Sequence, residues 1–245
     1  MLAETMVRWG RQLVEAYPPE GRSYWAARFW DRTPIESAAS VGDDHREDQQ
    51  HIIRFLRDYG QDAQRVLEFS CGIGDFTNIV TGVSTAGEIE AVDISEHALE
   101  IARRTVRDPR VRFVRGDFWD DLDLEKADVV VCLHAIHHMG RVREVVARLK
   151  TFVKPGGILV GNIWTLDNYH DWQRSVHGPA RHLARSALFL ANALVMRATG
   201  GRVRWASYRT QILPSAQVRA ILASSSAEVL ETTTTKFFVN FAVRC

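Results

Sequence analysis

The segment Arg65–Phe76, RVLEFSCGIGDF, constrains the fold more than any other part of the chain. Val66, Leu67 and Phe69 favour a strand. Gly72 and Gly74 then allow backbone angles that side chains forbid, and they let a ligand approach the main chain closely. Phe76, Ile79, Val80 and Val83 follow at i, i+3, i+4 and i+7, the period of a helix with one apolar face. A buried strand, a glycine turn and a helix N-terminus in immediate succession is where open α/β sheets hold nucleotide-like ligands. The spacing is not the G-x-G-x-x-G of dinucleotide folds. It is Glu68-x-Ser70-x-Gly72-x-Gly74.

The following segments repeat the strand–helix alternation. A second strand, Glu88 to Val92, ends at Asp93, about 20 residues beyond the turn, where a nucleotide-binding sheet needs a carboxylate for ribose hydroxyls. A carboxylate can accept from both vicinal hydroxyls at once. Ser95 can cap the next helix, whose inner face is Leu99, Ala102 and Val106, so Asp93 also reads as a helix N-terminal acid. A third strand, Val111 to Val114, closes in Gly116-Asp117-Phe118. The fourth, Ala127 to Leu133, is a continuous apolar run of the kind found at a sheet centre. It ends in His134-Ala135-Ile136-His137-His138-Met139. Val142, Val145, Val146 and Leu149 mark a helix, and Lys154-Pro155-Gly156-Gly157 turns into a fifth strand, Ile158 to Ile163. Leu213-Pro214-Ser215 starts a further helix with Val218, Ile221 and Leu222, before two strands near 227–234 and 237–243.

Taken in order, these motifs resemble class I S-adenosylmethionine (SAM) dependent methyltransferases of the small-molecule, secondary-metabolite type. The turn is similar to the family's E/D-x-G-x-G-x-G, with Ser70 in place of the first glycine. Gly116-Asp117 is similar to its G-D segment. L-H-x-x-H-H-M, a helix, and then L-K-x-x-x-K-P-G-G-x-L resemble the region after its fourth motif. The resemblance covers about residues 60–165. It implies an α/β, Rossmann-like seven-stranded sheet of order 3-2-1-4-5-7-6 with the last strand antiparallel. It implies SAM as cofactor and no metal. The cofactor contacts carried over are Glu68, Ser70, Cys71, Gly72, Gly74, Asp93, Ile94, Asp117, Phe118 and His134. Glu68 is expected near the methionine part, Asp93 at the ribose, and Asp117 and Phe118 at the adenine. His137 or His138 is the implied general base, and His134 is expected to line the SAM pocket.

Four regions follow: a helical lid over 1–60, the SAM-binding core over 61–164, a helical substrate cap over 165–212, and a helix and hairpin over 213–245 that complete the sheet. The lid is rich in aromatics, and Arg28-Phe29-Trp30-Asp31 resembles the Y/F-W-D segment at the mouth of many small-molecule methyltransferases. Tyr24, Trp25, Trp30, Trp164, Tyr169 and Arg174 are the substrate-contact candidates. The cap carries Arg174, Arg181, Arg185, Arg197, Arg202, Arg204 and Arg209 against Asp167 and Asp171. That pattern reads as a solvated basic surface, as a clamp for an anionic acceptor, or as a membrane or nucleic-acid contact.

The chemistry asked of such a site is modest. A nucleophile must be aligned with the electrophilic methyl, water excluded, and a proton removed where the nucleophile carries one. Histidine suits the last task near neutral pH. If residues 136–139 are helical, His137 and His138 point about 100° apart, so one of them faces the ligand. The expected activity is methyl transfer to O or N of a small molecule. The alternatives are intramolecular attack on SAM releasing methylthioadenosine, for which Ser70 is the argument, a nucleic-acid or lipid methyltransferase, and a non-enzymatic SAM-binding subunit. The D/N-P-P-Y segment of nucleic-acid amino methylation is absent; Cys132-Leu133-His134-Ala135 stands there. Nearly balanced charge, +1 over 245 residues, argues against bulk nucleic-acid affinity. Cys71, Cys132 and Cys245 form neither a disulfide framework nor a metal pair, which points to a reduced, cytoplasmic setting. Glu4 and Arg8 interrupt the apolar run an export signal needs.

Overall fold

The computed structural model describes residues 1–28, 42–205 and 208–245. The chain runs α1 (Leu2–Val14), α2 (Arg22–Ala27), α3 (Gly42–Tyr59), β1 (Arg65–Phe69), α4 (Asp75–Val83), β2 (Glu88–Asp93), α5 (Glu96–Thr105), β3 (Val111–Arg115) and β4 (Ala127–Cys132). It continues with α6 (Ile136–Met139), α7 (Val142–Thr151), β5 (Val153–Trp164), α8 (Tyr169–His177), α9 (Pro179–Ala198), α10 (Ser215–Ala223), β6 (Glu228–Thr234) and β7 (Phe238–Arg244). The sheet order is β3-β2-β1-β4-β5-β7-β6. Strands β1 to β5 pair in parallel, and β7 is antiparallel to both its neighbours. This is the Rossmann-like arrangement expected from the resemblance.

Side chains along a strand alternate between faces. Val66, Val129, Val131 and Val160 therefore share one face, beneath Ile52, Phe55 and Leu56 of α3 and Val80 of α4. Leu67, Val130, Leu159 and Ile163 take the other, under Val145 and Leu149 of α7 and Val218 and Leu222 of α10. Each such buried side chain contributes about 1.5–3 kcal/mol relative to exposure. β1 and β4 are covered on both faces, which is why their sequences are apolar without alternation.

Of the first sixty residues, α1 and α2 stand at the mouth, whereas α3 packs on the sheet. Asp48 anchors it there, its Oδ1 accepting from Thr235 Oγ1 at 2.7 Å and from Asn240 Nδ2 at 2.8 Å. α1 packs against α9, with Val14, Ala193, Met196 and Tyr208 in one cluster. The first helix and the insert after β5 thus form a joint cover. β5 begins at Val153 rather than Ile158. The backbone of Gly156 and Gly157 pairs with Cys245, and the register with β4 shifts between Ala127 and Val129, so the expected turn is an irregular strand.

Candidate active site

The turn after β1 places Ser70 at φ 58°, Gly72 at φ 56° and Gly74 at φ 91°. Ser70 lies in the left-handed region that costs a non-glycine residue roughly 1–2 kcal/mol. It keeps the backbone shape a glycine would adopt there, and its hydroxyl donates to Met139 Sδ at 3.5 Å. A Cβ at Gly74 would stand 2.7 Å from Val106 Cγ2. Gly74 therefore faces α5, not the ligand side, and its glycine is a packing requirement.

The ends of β1, β2, β3 and β4 surround a cavity of about 1110 Å³. Ser70, Cys71, Gly72, Asp93, Ile94, Asp117, Phe118, His134, His137 and His138 all line it. Asp93 is 8% exposed. Its Oδ2 accepts the Gly72 N–H at 2.9 Å and its Oδ1 the Ser95 N–H at 2.8 Å. Burial raises its pKa, and the N–H groups of Ser95, Gly72 and Ile94 pull the other way. The carboxylate keeps lone-pair capacity for a further donor. The helix cap is Ser95, whose Oγ accepts the Ala98 N–H. Asp117 Oδ1 accepts the Trp119 N–H at 2.8 Å, and its Oδ2 is 2.5 Å from Arg22 Nε of α2.

Glu68 does not reach this wall. It is 2% exposed, and the alternation of β1 sends it towards Thr77 of α4. Burial raises its pKa to about 7, with Asp93 adding to the rise and Thr77 opposing it.

His134 adopts φ 54°, its N–H held by Asn162 Oδ1 at 2.7 Å, and its ring stacks on Phe238. α6 brings the next two histidines together, ring centroids 4.2 Å apart. His137 is buried, and its Nδ1 accepts the Trp164 N–H at 3.3 Å. Burial, reinforced by His138 and His134, holds its pKa well below the ordinary value. His138 packs on Trp25 at 4.7 Å and its Nδ1 is 2.8 Å from Thr210 Oγ1. Burial lowers its pKa to about 4, against an opposing contribution from the Arg209 backbone.

The substrate-contact candidates divide. Trp25 and Trp164 line this cavity. Tyr169 lines a second one beside it. Tyr24 lines neither; it packs edge-on against Trp25 under the Arg209 guanidinium. Arg174 also lies outside both, because Glu4 and Asp171 each hold it at 2.5 Å. Trp30 lies outside the described residues. Arg22 and Thr210 escaped sequence reasoning: neither belongs to a motif, and each meets its partner across most of a domain's length of chain. Among the described residues no three His, Cys, Asp or Glu side chains converge as a metal would require, and no helix is long and apolar enough to cross a membrane.

Residues 66–157 match the family model described as Methyltransferase domain. Malonyl-[acyl-carrier protein] O-methyltransferase of Halalkalibacterium halodurans is 29% identical over 133 residues, 52% of this chain and 49% of that protein. Phthiotriol/phenolphthiotriol dimycocerosates methyltransferase of Mycobacterium tuberculosis is 26% identical over 141 residues, 56% of this chain and 51% of that one. The chain spans about half the length of the curated relatives it matches. The solved N-methyltransferase NodS of Bradyrhizobium japonicum, in complex with S-adenosyl-L-homocysteine (SAH), superposes with a TM-score of 0.57 at 16% identity, covering 91% of this chain and 96% of that one. Residues 66–157 are thus similar to a methyltransferase domain, and the sheet order and the superposition on NodS show the Rossmann-like fold of solved methyltransferases.

Proposed function

We propose that this protein transfers a methyl group from SAM to an oxygen or nitrogen of a small molecule, with His138 as general base. The observation that carries the reading is that one cavity is walled by the glycine turn, by a carboxylate at the end of β2, by another at the end of β3, and by a histidine pair at the end of β4. The donor set fits the cofactor. Asp93 has lone-pair capacity left for a ribose hydroxyl, Asp117 can accept from an adenine amino group, Phe118 can flank the ring, and the Gly72 turn leaves room for the methionine portion. Bound there, SAM supplies an electrophilic methyl on a sulfonium.

The protein's own work is positioning, drying and proton removal. Trp25, Trp164, Phe238 and Met139 make the cavity wall apolar near the histidines, which excludes water from the reacting atoms. His137 accepts a backbone N–H on Nδ1, so in the neutral ring its hydrogen sits on Nε2 and it is a donor towards the cavity. His138 can give its Nδ1–H to Thr210, leaving Nε2 to take the acceptor's proton. That is the base-and-orienter arrangement of general base catalysis. Ser70, with its glycine-like backbone, gives no support to a reaction at another SAM carbon.

Incubation with methyl-labelled SAM tests the activity. Label recovered in a small-molecule acceptor is the expected result. Methylthioadenosine without a methylated product would overturn it.

A further inference from the structure

A second cavity, of about 1360 Å³, lies between α1, α8, α9 and residues 208–217. It shares Trp164, Trp172 and Glu144 with the wall of the first cavity. Thr210, the partner of His138, lines it as well. The two spaces therefore meet at two indoles and at the proposed base.

The charge of this chamber is one-sided. Arg8, Arg11, Arg185 and Arg209 line it, and among the described residues none of the four has a carboxylate at ion-pairing distance. Its carboxylates are Glu15 and Glu144, and Glu144 is held by Arg141 at 2.5 Å. Arg11 makes one long bond, 3.5 Å, to Gln217 Oε1. The Arg209 guanidinium lies 3.8 Å over the Tyr24 ring, and its Nε is buried with no acceptor. The interior is also under-bonded. Gln173 is 3% exposed with a buried, unpartnered Oε1, and the indole N–H groups of Trp164 and Trp172 are buried without acceptors. Buried polar atoms in folded proteins are nearly all paired, so this cluster of unmade bonds points to a guest that makes them.

We infer that the second chamber holds the tail of the methyl acceptor, and that this tail ends in a carboxylate or phosphate gripped by Arg11 and Arg209. The acceptor is then elongated and amphipathic. Its anion lies in the chamber, its body passes Trp164 and Trp172, and its nucleophilic atom reaches His138. Guanidinium suits this task because its planar fork binds a carboxylate or phosphate with two parallel bonds. The inference rests on the methyl-transfer reading for what happens at His138, whereas the anion site stands on the chamber alone.

The test uses anilinonaphthalene sulfonate, an aromatic anion whose fluorescence reports binding, and neutral phenylnaphthylamine as its control. Both are titrated into the free and SAH-loaded protein. The anion should bind roughly tenfold or more tightly than the neutral probe. Arg11→Gln with Arg209→Gln should abolish that preference, the corresponding lysine variants should keep most of it, and Arg57→Gln on the exposed face of α3 should leave it unchanged. Displacement by decanoate assigns the site to carboxylates and displacement by decyl phosphate to phosphates. Equal displacement by decanol, or an anion preference that survives the paired glutamine substitutions, overturns the inference. Calorimetry with SAH is read separately, so a failed cofactor reading shows as lost SAH binding while the anion preference still decides the chamber.

Discussion

At the scale of single residues, the two adjacent histidines are not equivalent. A sequence places both at the mouth and stops there, because the choice depends on which ring nitrogen is already engaged. His137 is committed by the Trp164 N–H, and His138 by Thr210. His138→Ala should lower kcat by about 10²–10⁴, the usual worth of a general base, with SAM affinity unchanged. Thr210→Val should lower kcat less and leave KM for SAM alone. Equal, mild losses for His137→Ala and His138→Ala, read by steady-state kinetics, would exclude the assignment. With its pKa near 4, His138 is a competent acceptor throughout the neutral range. The acid limb of kcat/KM should therefore fall near pH 4, not at the ordinary histidine value. Glu68 makes the opposite kind of prediction. Its folded pKa, about 7, lies above the unfolded value of 4.5, so the folded state binds more protons between those values and stability falls as pH rises through that window. The span corresponds to about 3 kcal/mol. Glu68→Gln should remove that slope and gain stability at pH 8 relative to pH 4.5, read as the difference between variant and parent urea midpoints. A pH-independent difference would show Glu68 to be ionised in the fold.

At the scale of elements, the strand–turn–helix unit was legible because its signals are local: β-formers, two glycines and a helical repeat. The roles of the two glycines were not, since they depend on what stands opposite. Gly72 lines the cavity, whereas Gly74 meets Val106 and Ala102 of the β2–β3 crossover. Gly74→Ala, at positive φ and with no room for a Cβ, should destabilise the domain by about 1–3 kcal/mol. Loss of cofactor affinity should follow only from that instability, as thermal unfolding with and without SAH would separate. Unchanged unfolding would mean that the turn tolerates a side chain there. α3 was legible as a helix, and its place on the sheet was not. Its apolar residues, Ile52, Phe55 and Leu56, would fit a lid equally well, and its bonds from Asp48 run to Thr235 and Asn240 near the other end of the chain.

At the scale of the whole molecule, the strand order was readable because parallel sheets allow few connections and the motifs come in a fixed sequence. A lid and a cap were expected, but that α1 and α9 would pack on each other was not readable. The cover over the mouth is assembled from α1 at one end of the chain and α9 after β5, and an amphipathic helix carries no record of which distant helix it will meet. The same assembly walls the basic chamber beside the histidines and turns a run of arginines into a directed surface. The account depends on one placement, a sulfonium nucleoside lying across the ends of β1, β2 and β3 with its reactive side towards β4. The direct test is a crystal structure of the SAH complex. The account predicts the ribose at Asp93, the adenine between Asp117 and Phe118, and the sulfur on the side of the cavity where His138 stands. SAH bound elsewhere, or bound with its sulfur turned away from the β4 histidines, would contradict it.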